Sequence, residues 1–259
     1  MKAYFQQQLL LWFDHNGRKD LPWQQPVTPY RVWISEIMLQ QTQVATVIPY
    51  FERFMQAFPD IETLANASLD ETLHYWAGLG YYARARNLHK TAKIIVKQAY
   101  FPDNVDELVT FPGIGLSTAG AISSIAFNHS AAILDGNVRR VLVRFHALSG
   151  WTGLTAMTKK LWELSRFYTP NERVADYTQA IMDLGATLCT RSKPDCEHCP
   201  LVKQCQAWLQ GRVAELPTPK PKKRKAPKNL CIFNFAQPTT GLIRKTPTHR
   251  YLGGIMEFS

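Results

Sequence analysis

Four cysteines stand within the 17 residues from Cys189 to Cys205, spaced Cys189-x6-Cys196-x2-Cys199-x5-Cys205. Thiolates this close along a chain can converge on one metal centre, and by ligand type zinc and a four-iron cluster are both open. The loops between them are short enough to close every coordination position on protein, which favours a structural role. The run does not match the spacing of the ferredoxin electron carriers. A disulfide framework would instead spread its cysteines through a small secreted chain. His198, between two of the cysteines, is either a substitute zinc ligand or a solvated loop histidine, and Cys231, which stands apart, is expected to be a buried or semi-buried thiol.

Two carboxylates have surroundings that suit acid–base or electrostatic work. Glu36 is the only charge between Arg31 and Glu52, inside the apolar stretch Trp33-Ile34-Ser35-Glu36-Ile37-Met38-Leu39. Facing inward, it would hold a proton near neutral pH, because desolvation disfavours the anion; facing water, it is an ordinary helix glutamate. Asp135 lies in Leu134-Asp135-Gly136-Asn137-Val138. It suits the N-cap of a helix beginning near Asn137, and equally an anion facing a cationic intermediate over an apolar floor. A third feature is Pro112-Gly113-Ile114-Gly115 followed by Ser117-Thr118-Ala119-Gly120. With no strand before it, this is not a dinucleotide or P-loop site. Two glycines before a helix N-terminus let backbone amides approach one phosphate of a nucleic-acid backbone; a plain helix–helix turn is the alternative.

The elements that must position these residues read as helices nearly throughout. Thr28-Pro29 opens one that runs to about Gln40, and Val44, Val47, Ile48, Phe51, Phe54, Met55 and Phe58 keep helical spacing in the next. Ser68 and Glu71 form a capping-box pair, Gly78 and Gly80 stop that helix, and Tyr82 to about Ala99 forms another. Further helices are expected over 104–110, 117–127, 137–147, 159–168, 173–187 and 201–210, and a strand only from Leu230 to Phe235. The expectation is therefore an all-α body.

Charge supports this division. Of the net +10, residues 1–216 contribute only 21 Lys/Arg against 19 Asp/Glu, whereas the Pro/Lys tract 217–228 carries six basic residues and no acid. A uniformly basic shell is thereby excluded, so any nucleic-acid contact relies on local placement of charge. No apolar run approaches a membrane span, and the N-terminus lacks the pattern of a signal peptide; a cytoplasmic protein without membrane partners is expected.

Five segments carry a resemblance over roughly residues 4–216: Trp33 to Thr42, Gly78 to His89, Pro112 to Gly120, Leu134 to Val138 and the four-cysteine run. The chain resembles the helix-hairpin-helix DNA glycosylases of the endonuclease III type and, among them, the adenine-specific mismatch family (MutY type). The resemblance implies a six-helix barrel lobe over 22–133 and an iron-sulfur lobe over 134–216 joined by the N-terminal helix within 1–21, with the active site in the cleft between. It implies one [4Fe-4S] cluster on Cys189, Cys196, Cys199 and Cys205. It implies a monomer that hydrolyses the N-glycosidic bond of adenine opposite 8-oxoguanine or guanine in double-stranded DNA.

On that resemblance Glu36 would protonate the extruded adenine and then activate water, Asp135 would stabilise the oxocarbenium-like sugar, and Asn137 would orient Asp135 or the water. Ser117 stands where strand-cleaving relatives carry a nucleophilic lysine, so little or no lyase activity is expected. Gln41 and Tyr81 would wedge into the base stack; Arg84 and Arg86 would meet phosphate; Gly113 and Gly115 would form the hairpin's phosphate contact; Lys19 would react adventitiously with abasic product. The linker 217–228 would lead to residues 229–259, which resemble the opening of a Nudix-like lesion-recognition domain, with weakened 8-oxoguanine discrimination as the expected result of its shortness. Thymine- or pyrimidine-specific relatives and a non-catalytic iron-sulfur DNA-binding protein are the rival readings.

Overall fold

Thr28 accepts a hydrogen bond from the Arg31 amide and Pro29 follows it, so α2 begins where a cap and a fixed φ coincide. A computed structural model of the protein describes residues 1–221. Among them the elements run α1 (Lys2–Asn16), α2 (Pro29–Leu39), α3 (Val44–Ala57), α4 (Ile61–Asn66), α5 (Leu69–Trp76), α6 (Ala83–Gln98), α7 (Val105–Leu108), α8 (Leu116–Phe127), α9 (Gly136–Phe145), α10 (Thr155–Tyr168), α11 (Val174–Thr187) and α12 (Gln206–Leu209). The described fold is all-α, its sole β feature one bridge between Trp151 and Thr218. The strand expected from Leu230, the thiol of Cys231 and the segment 229–259 lie outside the described residues.

Two separate apolar cores form. The first gathers side chains from Trp23 to Ile122, drawn from α2 through α8. Its centre is aromatic: Phe54 meets Trp76 edge-on at 6.2 Å, and Trp33 and Phe101 meet at 5.9 Å. The second joins Phe5, Leu9 and Phe13 of α1, spaced every four residues, to α9, α10, α11 and α12. Phe5 sits 4.9 Å from Phe145 and 4.3 Å from Tyr168. Each fully buried side chain of this size contributes about 1.5–3 kcal/mol, so both cores are substantial.

Capping sets the helix starts. Ser68 accepts from the Glu71 amide at 3.1 Å, and Asp135 accepts from the Val138 amide at 2.8 Å. Asp60 caps α4 through Thr63 at 2.7 Å, a short helix without a counterpart among the expected ones. The packed unit continues to Pro221, past the start of the expected linker. Thr218 Oγ1 accepts from the Gly150 amide at 3.1 Å, and the Lys220 ammonium lies 5.2 Å from the Trp151 ring centroid. No helix among the described residues is long and apolar enough to cross a membrane.

Candidate active site and cysteine cavity

α2 is buried almost all round, with Val32, Trp33, Ile34, Ser35, Ile37 and Met38 inside. In such a helix Glu36 is half-buried, and it faces a cavity of about 320 Å³. Asp135, Asn137 and Ser117 line the same cavity, as do Arg18, Gln179 and Asp183. Its walls therefore come from both cores: α2 and the start of α8 on one side, the start of α9 and α11 on the other.

The two carboxyls differ in what surrounds them. Burial, and secondarily the charge of Asp135, push the Glu36 carboxyl up to about 8, so it is protonated at neutral pH. Burial also raises Asp135 above the ordinary carboxylate range. Here, however, the amides of Val138 and Asn137, the Arg140 guanidinium and the Asn137 side chain all favour the anion. Asp135 therefore ionises first, and its charge helps hold the proton on Glu36.

Asn137 is fixed from behind. Its Oδ1 accepts from Arg140 Nη2 at 2.8 Å, the same nitrogen donates to the Gly185 carbonyl at 2.6 Å, and Arg140 Nε donates to the Cys189 carbonyl at 2.6 Å. α11 approaches so closely that a Cβ at Gly185 would lie 2.5 Å from the Asn137 Cβ. Ser117 Oγ accepts from the Leu134 amide at 3.0 Å, bracing the segment that presents Asp135.

The remaining expected contacts lie at or beyond the rim. Gln41 (φ 58°) and Tyr81 (φ 49°) are both non-glycine residues in the left-handed region, and both are exposed. Strain of this kind persists only where the surroundings enforce it. Arg84 enforces it here. Its guanidinium donates to the carbonyls of Ile37 and Met38 at 2.9 Å each, to Gln40 at 2.6 Å and to Thr42 Oγ1 at 3.2 Å, and it lies 5.4 Å from the Trp76 ring and 5.3 Å from that of Tyr81. Arg84, expected at phosphate, is thus a brace between the Gln41 and Tyr81 turns; Arg86 faces outward. Gly113 has φ +84°, and a Cβ there would lie 2.9 Å from that of Asn87, whereas Gly115 has open space. Lys19 is exposed and donates to the Asp14 carbonyl at 2.8 Å.

The four cysteines are free and half-buried, and all line one apolar cavity with Leu184, Leu188 and Leu201. No three His, Cys, Asp or Glu side chains among the described residues are arranged to hold a single metal ion. Arg144, buried, donates to Cys189 Sγ at 3.4 Å and to the Thr190 carbonyl at 2.7 Å. His198 is exposed and bonded to Asp195 at 2.8 Å, the arrangement of a loop histidine.

Sequence reasoning missed Arg18 and Asp183. Asp183 is buried, and accepts from the Arg18 amide and Nε at 2.9 Å each and from its Nη2. The partners are 165 residues apart, so no local pattern marks them. Arg140 was missed for the same reason, since its acceptors at Gly185 and Cys189 lie 45 and 49 residues away.

Residues 34–167 match the HhH-GPD superfamily of base excision DNA repair proteins. The adenine DNA glycosylase of Buchnera aphidicola subsp. Baizongia pistaciae (strain Bp) is 47% identical over 236 residues, covering 90% of this chain and 66% of that protein. The adenine DNA glycosylase of Rattus norvegicus is 43% identical over 227 residues, covering 82% of this chain and 44% of that one. The chain spans 64–66% of the length of the Buchnera aphidicola proteins it matches. Among solved structures, a thermostable thymine-DNA glycosylase superposes with a TM-score of 0.73 at 27% identity, over 81% of this chain and 97% of that one. Endonuclease III in a non-covalent DNA complex shares the fold, with a TM-score of 0.66 at 22% identity over 82% of this chain and 98% of that one. The chain belongs to the HhH-GPD superfamily of base excision DNA repair proteins.

Proposed function

We propose that the chain carries the catalytic unit of an adenine DNA glycosylase, a monomeric cytosolic enzyme acting on adenine opposite 8-oxoguanine or guanine in duplex DNA. The observation that carries this reading is that Glu36 and Asp135 line one cavity, the first with its carboxyl pushed up to about 8 by burial, the second held by donors that favour its anion. Adenine must leave the stack to reach it, at a cost of a few kcal/mol. Glu36 then donates its proton to N7 of the base. The C1′–N9 bond breaks with its electron pair going to the base, and positive charge develops on the sugar. Asp135 lowers the energy of that charge, and Glu36, now anionic, takes a proton from the water that adds to C1′. General acid catalysis of this type contributes roughly 10²–10⁴-fold.

Ser117 offers a hydroxyl, already accepting from Leu134, where an amine would be needed to form a Schiff base, so strand cleavage is not part of the activity. Gln41 and Tyr81 are proposed as wedges at the flipped base, Gly113 and Gly115 as the hairpin's phosphate contact and Lys19 as a rim residue near the product. Cys189, Cys196, Cys199 and Cys205 are proposed to hold one [4Fe-4S] cluster; a donor set of four thiols lining one apolar cavity fits it. When bound, such a cluster cross-links the 189–205 loop.

The test is glycosylase activity on an A:G duplex, read as strand breaks after hot alkali. The wild-type chain is expected to excise adenine without nicking before alkali, and Glu36→Gln to bind the duplex without excising. Excision by Glu36→Gln, or preference for a T:G duplex, would overturn the reading.

A further inference from the structure

α6 carries Arg84, Arg86, Lys90, Lys93 and Lys97 between residues 83 and 98, with no carboxylate. Arg84 turns inward as the brace described above. The other four are exposed and recur at intervals of four, three and four residues, so they share one face of the helix. At 1.5 Å per residue that face is about 16 Å long. Like charges at these spacings repel, and Arg86 in the first turn opposes the helix dipole, so the arrangement works against helix stability. No ion pair relieves it: among the described residues, none of the four contributes to a salt bridge. A solvated helix face ordinarily mixes signs; this one does not.

Its position gives the stripe a use. The 112–115 hairpin abuts α6 beside the stripe: Thr91 Oγ1 donates to the Pro112 carbonyl at 3.1 Å, and Gly113 packs against Asn87. Asn87 lies on the flank of the face formed by Arg86, Lys90, Lys93 and Lys97, and Thr91 is buried on the inner side beyond it. The exposed Tyr81 precedes the helix. A polyanion seated at the hairpin would pass the stripe within the same surface. We propose that the basic face of α6 is a second docking surface for the sugar-phosphate backbone of duplex DNA, engaging the flank beyond the hairpin without sequence readout. This rests on the DNA-directed reading above, but not on its choice of base. The charge density of duplex DNA, one phosphate per about 1.7 Å of axis, sets several phosphates opposite a stripe of this length.

The test is the salt dependence of binding by the full chain to a matched duplex of about 30 base pairs, which separates binding from excision. Each lysine–phosphate pair that is removed lowers the slope of log K against log salt by about 0.9. Lys93→Gln/Lys97→Gln should therefore flatten the slope by up to about 1.8. Lys159→Gln/Lys160→Gln on α10, which removes the same net charge elsewhere, should leave it at the wild-type value. With a duplex of about 10 base pairs, too short to extend past the hairpin, the two double variants should converge. Far-UV circular dichroism checks that α6 remains helical. Equal slopes for the two variants on the long duplex would overturn the stripe while leaving excision of adenine untouched. Failure of the wild-type chain to bind any duplex would remove the DNA-directed reading and the stripe with it.

Discussion

Glu36 keeps its proton because its helix is buried on nearly every side and because Asp135, with donors of its own, ionises first. Single-turnover excision should consequently fall as pH rises through about 8, where the general acid is lost. It should also fall on the acid side, through a value above the ordinary carboxylate range, as Asp135 is neutralised. A flat alkaline limb up to pH 10 would contradict the assignment of Glu36. The same burial affects stability. The folded chain retains a proton that the unfolded chain releases above about 4.5, so stability should decline between 4.5 and about 8. The decline is on the order of a few kcal/mol at most, since the carboxyl is partly accessible through the cavity. Glu36→Gln should abolish this decline in denaturant titrations at pH 5 and pH 8, gaining stability as it loses activity.

The elements place their residues by contacts of very different range, and this decides what was legible. Local signals held: the Thr28-Pro29 start, the Ser68 cap and the Asp135 cap all occur as their residue types require. α4, only six residues long, has too few turns for a periodic signal. α1 carries Phe5, Leu9 and Phe13 at helical spacing, but Tyr4, Leu10, Leu11 and Trp12 put apolar residues on its other faces too, and the resemblance rather than periodicity pointed to it. Glu36 and Asp135 were legible as a pair only through the resemblance, since the apolar surroundings of α2 do not reveal which way one residue faces. Arg84 is the instructive failure, because the spacing of Arg84 and Arg86 reads as a basic surface while one of the two turns inward. Arg84→Gln should cost about 2–4 kcal/mol in denaturant unfolding, as several carbonyls lose a charged donor. It should leave the salt slope of DNA binding unchanged, whereas removing a phosphate-binding arginine would lower that slope by about 0.9. The hairpin allows a matched comparison. Gly113→Ala meets both a positive φ and the Asn87 side chain and should destabilise by about 1–2 kcal/mol. Gly115→Ala has open space and should leave stability within about 0.5 kcal/mol. If the loop's backbone approaches a phosphate, Gly115→Ala should still weaken duplex binding.

At the scale of the whole described unit, the cavity lies where two cores meet, so its geometry depends on how firmly the second core holds its own wall of the cavity. Arg18 and Asp183 make one tie, joining the segment after α1 to α11 at the cavity wall. Arg140 makes another, reaching from Asn137 to the carbonyls of Gly185 and Cys189. Through it the loop that carries the cysteines and the residue that helps hold Asp135 anionic share one guanidinium. Disturbing that guanidinium should act on catalysis with little effect on docking, because its donors point at protein acceptors. Arg140→Gln is expected to slow single-turnover excision on the order of 10²-fold, the scale set by a misplacement of about 1 Å. Binding to a matched duplex should change far less. Asn137→Ala should slow excision by a similar factor, and the double variant should be little slower than either single one, since both remove the same support for Asp135. Additive losses would mean that Arg140 and Asn137 act independently, and that the cysteine loop does not reach the active cavity by this route.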